Sequence, residues 1–329
     1  MPEWRKRLSY DPIPFLLDGP DPLRYFVRRD LLREKTEPIE TLWEHPGALR
    51  TLSKQKWDGR WEYPRSNERI REREDYDQIE TYRQLGVLVE KFGFTHGHPS
   101  IKRACDFLFS HQTLEGDFRG IYGRQYSPNY SAAIMELLIK ARLEDDRRVE
   151  RGFDWLLSMR QEDGGWAIPT RTAPGTSSLN WTKTLLMDTV MPNRSKPSSH
   201  LVTGVVLRAF AAHKRYRKSK EAKRAAELLC NRLFTRDFYM DRMSQDFWWR
   251  VSFPFWFTDI VSALDSLSML GCLEETEPIH RALRRLKDRQ ISDGSFRLKL
   301  LRTGDPDTCR WVTLAACRVF ARFYHTHNA

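Results

Sequence analysis

The phrase Gln55-Lys56-Trp57-Asp58-Gly59-Arg60-Trp61 decides the fold, because it returns along the chain in recognisable form. Each copy combines a glycine that permits a left-handed turn, an acidic residue that caps nearby amides and an aromatic residue that packs the turn. The glycines at positions 59, 116 and 164 follow one another at 57 and 48 residues, which predicts a helical repeat. Further copies occupy residues 112–118, 161–166 and 290–296, with a degenerate copy at 236–238.

Two kinds of helix alternate between these phrases. Segments within 101–108, 149–157, 222–229 and 279–286 are amphipathic, whereas other segments are apolar nearly all round and should be buried on every side. The alternation predicts an inner ring of helices wrapped by an outer ring, in one all-α domain over residues 22–329, preceded by an N-terminal extension at 1–21. The predicted inner helices are 23–32, which is more charged, and 79–92, 131–141, 201–212, 260–270 and 311–320.

Composition excludes several classes of protein. The 329 residues carry a net charge of +11 and are 40% hydrophobic, too apolar for a disordered chain. No stretch is long and apolar enough for a membrane-spanning helix, and the first residues lack the apolar core of a secretory signal, so we expect a cytoplasmic protein. The five cysteines are scattered without a Cys-x-x-Cys pair, which favours reduced thiols over disulfides or structural zinc.

The repeated phrases resemble those of the squalene cyclase and protein prenyltransferase β-subunit superfamily. The resemblance covers most of the chain and implies an (α/α)6 toroid whose pocket opens where the inner helices begin. Three further segments are similar to uncharacterised prokaryotic squalene-cyclase-like proteins, a likeness that carries no activity. These segments are Asp21-Pro22-Leu23-Arg24-Tyr25, residues 253–260 and Arg310-Trp311-Val312-Thr313-Leu314.

Two catalytic signatures of that superfamily are incomplete in this sequence. Class II cyclases use an Asp-x-Asp-Asp acid, and the nearest phrase here, Asp75-Tyr76-Asp77-Gln78, lacks the second adjacent carboxylate. Prenyltransferases hold zinc with an Asp-x-Cys pair and a histidine, and Asp307-Thr308-Cys309 has no histidine in the next predicted inner helix. Neither polycyclisation nor zinc-dependent prenyl transfer is therefore expected.

Candidate site residues lie where the inner helices are expected to begin. Asp259, Asp77 and Asp75 are candidate acids, and the last two could also bind Mg²⁺; no other cofactor is expected. Each has a structural alternative, because Asp259 could cap its helix and the other two could lie in a solvated loop. Arg124, Arg250 and Arg310 are expected to hold an anionic group. The remaining candidates for ligand contact are Tyr76, Tyr82, Tyr130, Trp181, His200, Trp248, Trp249, Trp256 and Trp311.

Three functions stay open at this point. The first is a central aromatic pocket for an isoprenoid or another hydrophobic small molecule with an anionic group. The alternatives are a non-catalytic scaffold and a carbohydrate-active lyase or hydrolase, since (α/α)6 barrels also serve those enzymes. No DNA-binding motif is present, but the basic turn Lys214-Arg215-Tyr216-Arg217-Lys218-Ser219-Lys220 could contact an anionic membrane surface or an acidic partner.

Overall fold

The computed structural model describes residues 2–64, 73–176, 183–184, 187–240, 243–273, 275–301 and 304–324. Within these residues the protein is all-α apart from two paired dipeptide strands, β1 (Arg250–Val251) and β2 (Lys299–Leu300). The first seven helices are α1 (Glu3–Lys6), α2 (Ile13–Leu17), α3 (Asp21–Phe26), α4 (Pro46–Leu52), α5 (Arg73–Phe92), α6 (Pro99–Ser110) and α7 (Pro128–Leu138). They are followed by α8 (Arg147–Ser158), α9 (Pro169–Thr172), α10 (His200–Ala212), α11 (Lys220–Asn231), α12 (Ile260–Met269), α13 (Glu277–Lys287) and α14 (Thr308–Phe323).

Six of these helices form the inner ring that the sequence predicts. In chain order they are α3, α5, α7, α10, α12 and α14; each packs against the next, and α14 packs back against α3. The outer layer contains α4, α6, α8, α11 and α13, whose buried faces turn inward while their charged faces meet solvent. Apart from α3, which exposes Asp21 and Arg24, the inner helices are buried on most sides, and this arrangement confirms the predicted helical toroid.

The repeated phrases are the turns that join outer helices to inner ones. Gly116 has φ of 111°, a left-handed conformation, and a Cβ at this position would overlap the carbonyl oxygen of Arg151 in α8. Gln112 ties the same turn together, because its Nε2 donates to the carbonyl oxygens of Gly116 at 2.9 Å and Arg148 at 2.8 Å. This turn is thereby fastened to the next outer helix, α8.

The last phrase closes the ring through the N-terminal segment. Gln290 donates from Nε2 to the carbonyl oxygen of Tyr10 at 2.8 Å and accepts the amide N–H groups of Ser9 and Tyr10. Residues before position 21 thus occupy the place that an outer helix takes in the other repeats, with Trp4 and Leu16 buried. The domain boundary at residues 21 and 22 stays a prediction.

Two inner helices end in an unusual conformation. The helix α3 continues as a π-helix over Val27–Leu32, and α7 continues as one over Ile139–Leu143. Each ends on an arginine with positive φ, Arg33 at 58° and Arg142 at 68°. A non-glycine residue in this region costs about 1 to 2 kcal/mol, and π-helical turns are frequent at functional sites.

Candidate functional site

A central cavity of about 340 Å³ lies inside the helix ring. Its wall is formed by α5, α7, the start of α14 and the segment at residues 252–256, which enters the ring from the long connection between α11 and α12. The apolar part of the wall includes Tyr82, Leu137, Phe253, Phe255 and Trp256.

Two aromatic residues singled out in the sequence, Tyr82 and Trp256, meet at this cavity, and a third, Tyr130, contacts Trp256. The ring of Trp256 lies 5.2 Å from that of Tyr82 on α5 and 6.5 Å from that of Tyr130 on α7, in edge-to-face geometry. The guanidinium of Arg83 lies over the Trp256 ring at 4.9 Å, and Arg83 also pairs with Glu80 at 3.3 Å. The cavity therefore has an aromatic wall with the Arg83 cation in contact with it.

A chain of buried and half-buried charges reaches this cavity, where Glu136 and Glu90 form part of the wall. Arg208 on α10 is 2% exposed, and its Nε donates to Glu136 Oε2 at 2.8 Å. Lys140 lies one turn after Glu136, pairs with it at 2.7 Å, and also pairs with Glu90 at 2.5 Å. Burial by itself would raise the pKa of Glu136, but Arg208 and Lys140 hold it below its usual value. Glu136 is therefore ionised at neutral pH.

Tyr82 keeps its proton in this environment. It is buried beside the charge chain, and burial raises the pKa of its hydroxyl to about 12. The Tyr82 side chain therefore offers the cavity a neutral hydroxyl and an aromatic face.

Asp259 is the N-cap of α12. Its Oδ1 accepts the backbone N–H groups of Val261 at 2.8 Å and Ser262 at 2.9 Å, while the Ser262 hydroxyl accepts the Asp259 amide, which completes a capping box. Burial raises the pKa of Asp259 to about 7 despite these hydrogen bonds and the nearby Arg208. The residue lies close to the charge chain but does not line the central cavity, and its role as an acid stays a prediction.

The Asp75 and Asp77 side chains lie at the start of α5. Asp77 is 3% exposed; it accepts the amide of Tyr63 at 2.8 Å and pairs with Arg60 at 3.2 Å. Asp75 lies against the backbone of Gly120, and the ring of Tyr76 is 5.2 Å from that of Tyr63. Within the described residues, no three or more His, Cys, Asp or Glu side chains gather as a metal site would require. Binding of Mg²⁺ stays a prediction.

A second aromatic cluster lies apart from the cavity, around the start of α10. His200 stacks on Trp248 with ring centroids 4.9 Å apart, and its Nδ1 lies 3.4 Å from Asp237. Burial lowers the pKa of His200, which favours the neutral ring. Trp249 stacks on Phe234 at 5.3 Å. These contacts pack the degenerate repeat turn against the inner ring.

The three arginines expected to hold an anion are dispersed. Arg124 is exposed, the guanidinium of Arg250 lies 4.4 Å over the Phe247 ring, and Arg310 pairs with Asp18 at 2.7 Å. None of the three lines the central cavity.

The two remaining candidates are Trp311 and Trp181. Trp311 lies face to face with Phe253, a residue of the cavity wall, at 5.4 Å. The prediction for Trp181 falls outside the described residues.

The basic turn after α10 is partly neutralised. Lys214 pairs with Glu144 at 3.1 Å and Arg215 with Glu150 at 3.0 Å, while both cations stay largely exposed. Tyr216 is anchored on Phe153 at 3.8 Å. No helix among the described residues has the length and apolarity to cross a bilayer.

Sequence reasoning missed the charge chain and the cation on the aromatic wall. Glu136, Lys140 and Arg208 lie within helices that read as apolar nearly all round. An isolated charge in such a helix was itself the signal, because a buried charge needs a partner from a neighbouring helix. Arg83 gave no signal of this kind, since α5 is rich in charged residues.

Several known proteins are similar to this chain. Squalene–hopene cyclase of Zymomonas mobilis is 28% identical over 79 residues, which are 24% of this chain and 12% of that protein. Among solved structures, the type II terpene cyclase MstE from Scytonema is 12% identical with a TM-score of 0.33, covering 88% of this chain and all of that one.

Two carbohydrate-active proteins also align. A polysaccharide lyase is 12% identical with a TM-score of 0.44, covering 88% of both chains. An α-amylase from Clostridium perfringens is 11% identical with a TM-score of 0.44, covering 85% of this chain and 80% of that one.

The family profile gives the broadest match. The profile of the squalene-hopene cyclase C-terminal domain matches residues 75–176 and 129–300, which together make up more than half of the chain. The protein therefore belongs to the squalene-hopene cyclase C-terminal domain family.

Proposed function

We propose that this protein binds a short isoprenoid, or a similar hydrophobic small molecule with an anionic group, in its central cavity. The observation that carries the proposal is the aromatic wall of Tyr82 and Trp256 inside the helix ring, where Tyr130 packs against Trp256. Aromatic faces suit alkenes and positively charged groups, and family membership favours a hydrophobic ligand.

The size of the cavity favours a short ligand. Small-molecule pockets range from about 300 to 1,000 Å³, and 340 Å³ is at the small end of that range. We expect geranyl or farnesyl compounds to fit better than a chain as long as squalene.

Charges in the wall support an amphipathic ligand. Arg83 and Lys91 both line the cavity, and Arg83 already rests on the Trp256 face. An anionic group of the ligand would pair with Arg83, which within the described residues forms an ion pair with Glu80 alone. The ionised Glu136, which also lines the cavity, would stabilise positive charge on a bound molecule.

A binding role requires less of the site than turnover does. Glu136 is ionised and Tyr82 holds its proton tightly, so neither supplies the strong acid needed to protonate an alkene. We propose binding as the function and keep Asp259, Asp75 and Asp77 as proposed acids for any reaction that product analysis detects.

Native mass spectrometry and tryptophan fluorescence test the proposal. The purified chain is titrated with geranyl diphosphate, farnesyl diphosphate, farnesol and squalene, and extracts of the mixtures are analysed for new products. The variant Trp256→Leu removes the aromatic wall, and Trp57→Leu is the matched control because Trp57 is 88% exposed on a repeat turn. We expect about tenfold weaker binding for Trp256→Leu and no change for Trp57→Leu.

Other results would favour the alternatives. Failure of every prenyl compound to bind would contradict the proposal and leave the scaffold role. Saturable binding of an oligosaccharide that Trp256→Leu abolishes would instead support carbohydrate chemistry.

A further inference from the structure

A second cavity, of about 350 Å³, lies where the inner helices end. It is lined by the C-terminal parts of α5, α12 and α14 and by the π-helical turns that follow α3 and α7. Phe253 and Phe255 belong to both cavities and stand between them. The second cavity is thus at the end of the ring opposite to the inner-helix starts.

Positive charge is concentrated in this cavity from three helices. The five cations that line it are Arg29, Lys140, Arg142, Arg318 and Arg322. Helix C-termini attract cations by themselves, so the number of carboxylates decides whether positive charge is left over.

The carboxylates are fewer than the cations. Asp30 pairs with both Arg29 at 2.6 Å and Arg318 at 2.5 Å. Burial by itself would raise the pKa of Asp30, but the two arginines hold it below the usual value. Asp265 pairs with Arg322, and Glu90 pairs with Lys140. Lys140 also pairs with Glu136, whose other partner is Arg208. Four carboxylates therefore face six cations in this network, which leaves a formal excess of two positive charges.

Arg142 is the cation left without a carboxylate. It is exposed, and it has no ion pair within the part of the chain that the structure describes. Its backbone is left-handed, with φ of 68°, at the end of the π-helical turn that also carries Lys140. Arg29 belongs to the other π-helical turn, so three of the five cations are on π-helical segments. Strained backbone and π turns persist where a function retains them.

We infer that the second cavity binds a doubly charged oxyanion of the phosphate type, held by Arg142 together with Arg29 and Arg318. A dianion neutralises the excess of two charges, and guanidinium groups match the oxygens of phosphate in geometry and charge. The apolar floor of Phe253 and Phe255 admits a short organic substituent on the phosphate. This inference is independent of the proposed function, because it concerns a different cavity and different residues.

The chain offers a closely matched pair of variants for the test. Arg142→Gly removes the cation and allows the left-handed backbone, so it should not destabilise the fold. Arg33→Gly makes the same change at the end of the other π-helical turn, at a residue with φ of 58° that does not line the cavity. Both variants lower the net charge by one, which controls for general electrostatics.

Isothermal titration calorimetry of the full chain with inorganic phosphate and with pyrophosphate, at ionic strength held constant with NaCl, measures the site. We expect saturable binding of one anion to the native protein, tenfold or more weaker binding to Arg142→Gly, and a change of less than about twofold for Arg33→Gly. Trp256→Leu should bind phosphate as the native protein does, which separates this site from the central cavity.

Two results would overturn the inference. One is the absence of saturable phosphate and pyrophosphate binding to the native protein. The other is an equal loss of affinity in Arg33→Gly and Arg142→Gly, which would show attraction to net charge and no site in this cavity.

Discussion

The buried pair of Arg208 and Glu136 gives a prediction whose magnitude follows from the structure. Their side chains are 2% and 6% exposed and 2.8 Å apart, so Arg208→Met leaves a buried carboxylate short of one partner. Removing one member of a buried pair costs about 3 to 5 kcal/mol. Glu136 retains Lys140 at 2.7 Å, which places the expected loss in the free energy of unfolding at about 3 kcal/mol.

Urea unfolding followed by circular dichroism measures this loss. With an m-value of about 3 kcal/mol per molar urea, the unfolding midpoint should fall by about 1 M. The double variant Glu136→Leu/Arg208→Met removes both charges, and Lys140 keeps Glu90 as its partner. Its loss should be smaller than the sum of the two single losses by about 2 kcal/mol or more.

The pH dependence gives a second readout on the same pair. Burial raises the pKa of Glu136, but Arg208 and Lys140 more than offset this and hold the pKa below the usual 4.5. The pair therefore stabilises the fold at neutral pH, and this contribution is lost as the pH falls through the folded-state pKa. In Arg208→Met the pKa of Glu136 should rise, so the loss of stability with falling pH should begin at a higher pH. Strictly additive single losses, or a single loss below about 1 kcal/mol, would refute the reasoning.

Three further predictions concern the cap, the repeat turn and the thiols. Burial raises the pKa of Asp259 to about 7, so folding takes up a proton at pH values between the usual pKa and 7. In this range the free energy of unfolding should fall with rising pH by up to about 1.4 kcal/mol per pH unit. Asp259→Asn keeps the cap and should lose this pH dependence, as measured by urea unfolding at several pH values. Gly116→Ala should lower the free energy of unfolding by about 3 kcal/mol. Gly271→Ala should lower it by only about 1 kcal/mol, because Gly271 also has a positive φ but has open space around it. Equal losses in thermal unfolding would contradict the close approach of Gly116 to α8. A hydrogen bond with the Cys230 thiol lowers the pKa of Cys272, whereas burial raises the pKa of Cys317. Iodoacetamide should therefore alkylate Cys272 at least tenfold faster than Cys317, as measured by peptide mapping. Equal rates would contradict this prediction.

The repeat and its helices could be predicted from the sequence because they depend on local physics. A glycine such as Gly116 is needed wherever the backbone turns left-handed, and the apolar period of each inner helix requires burial whatever surrounds it. These rules operate within one turn or one helix. The number and order of the inner helices follow from them, together with the resemblance of the repeated phrases to a known superfamily.

The candidate site followed the sequence only in part. Tyr82, Tyr130 and Trp256 were singled out as aromatic residues near helix starts. Tyr82 and Trp256 do meet at the central cavity, and Tyr130 contacts Trp256. Trp248 and Trp249 satisfied the same pattern, yet they pack in a separate cluster. The sequence pattern does not distinguish the two groups, because it shows that a ring is buried and does not show which neighbours bury it.

Only the tertiary structure decided which charges meet. Arg208 and Glu136 are 72 residues apart and lie on different inner helices, and Arg318 reaches Asp30 across the closure of the ring. A helix fixes which of its faces a side chain occupies, whereas the partner on that face depends on how the ring closes. Periodicity along the chain therefore determined the toroid, while its two cavities and their charges exist only where distant helices come within hydrogen-bond distance.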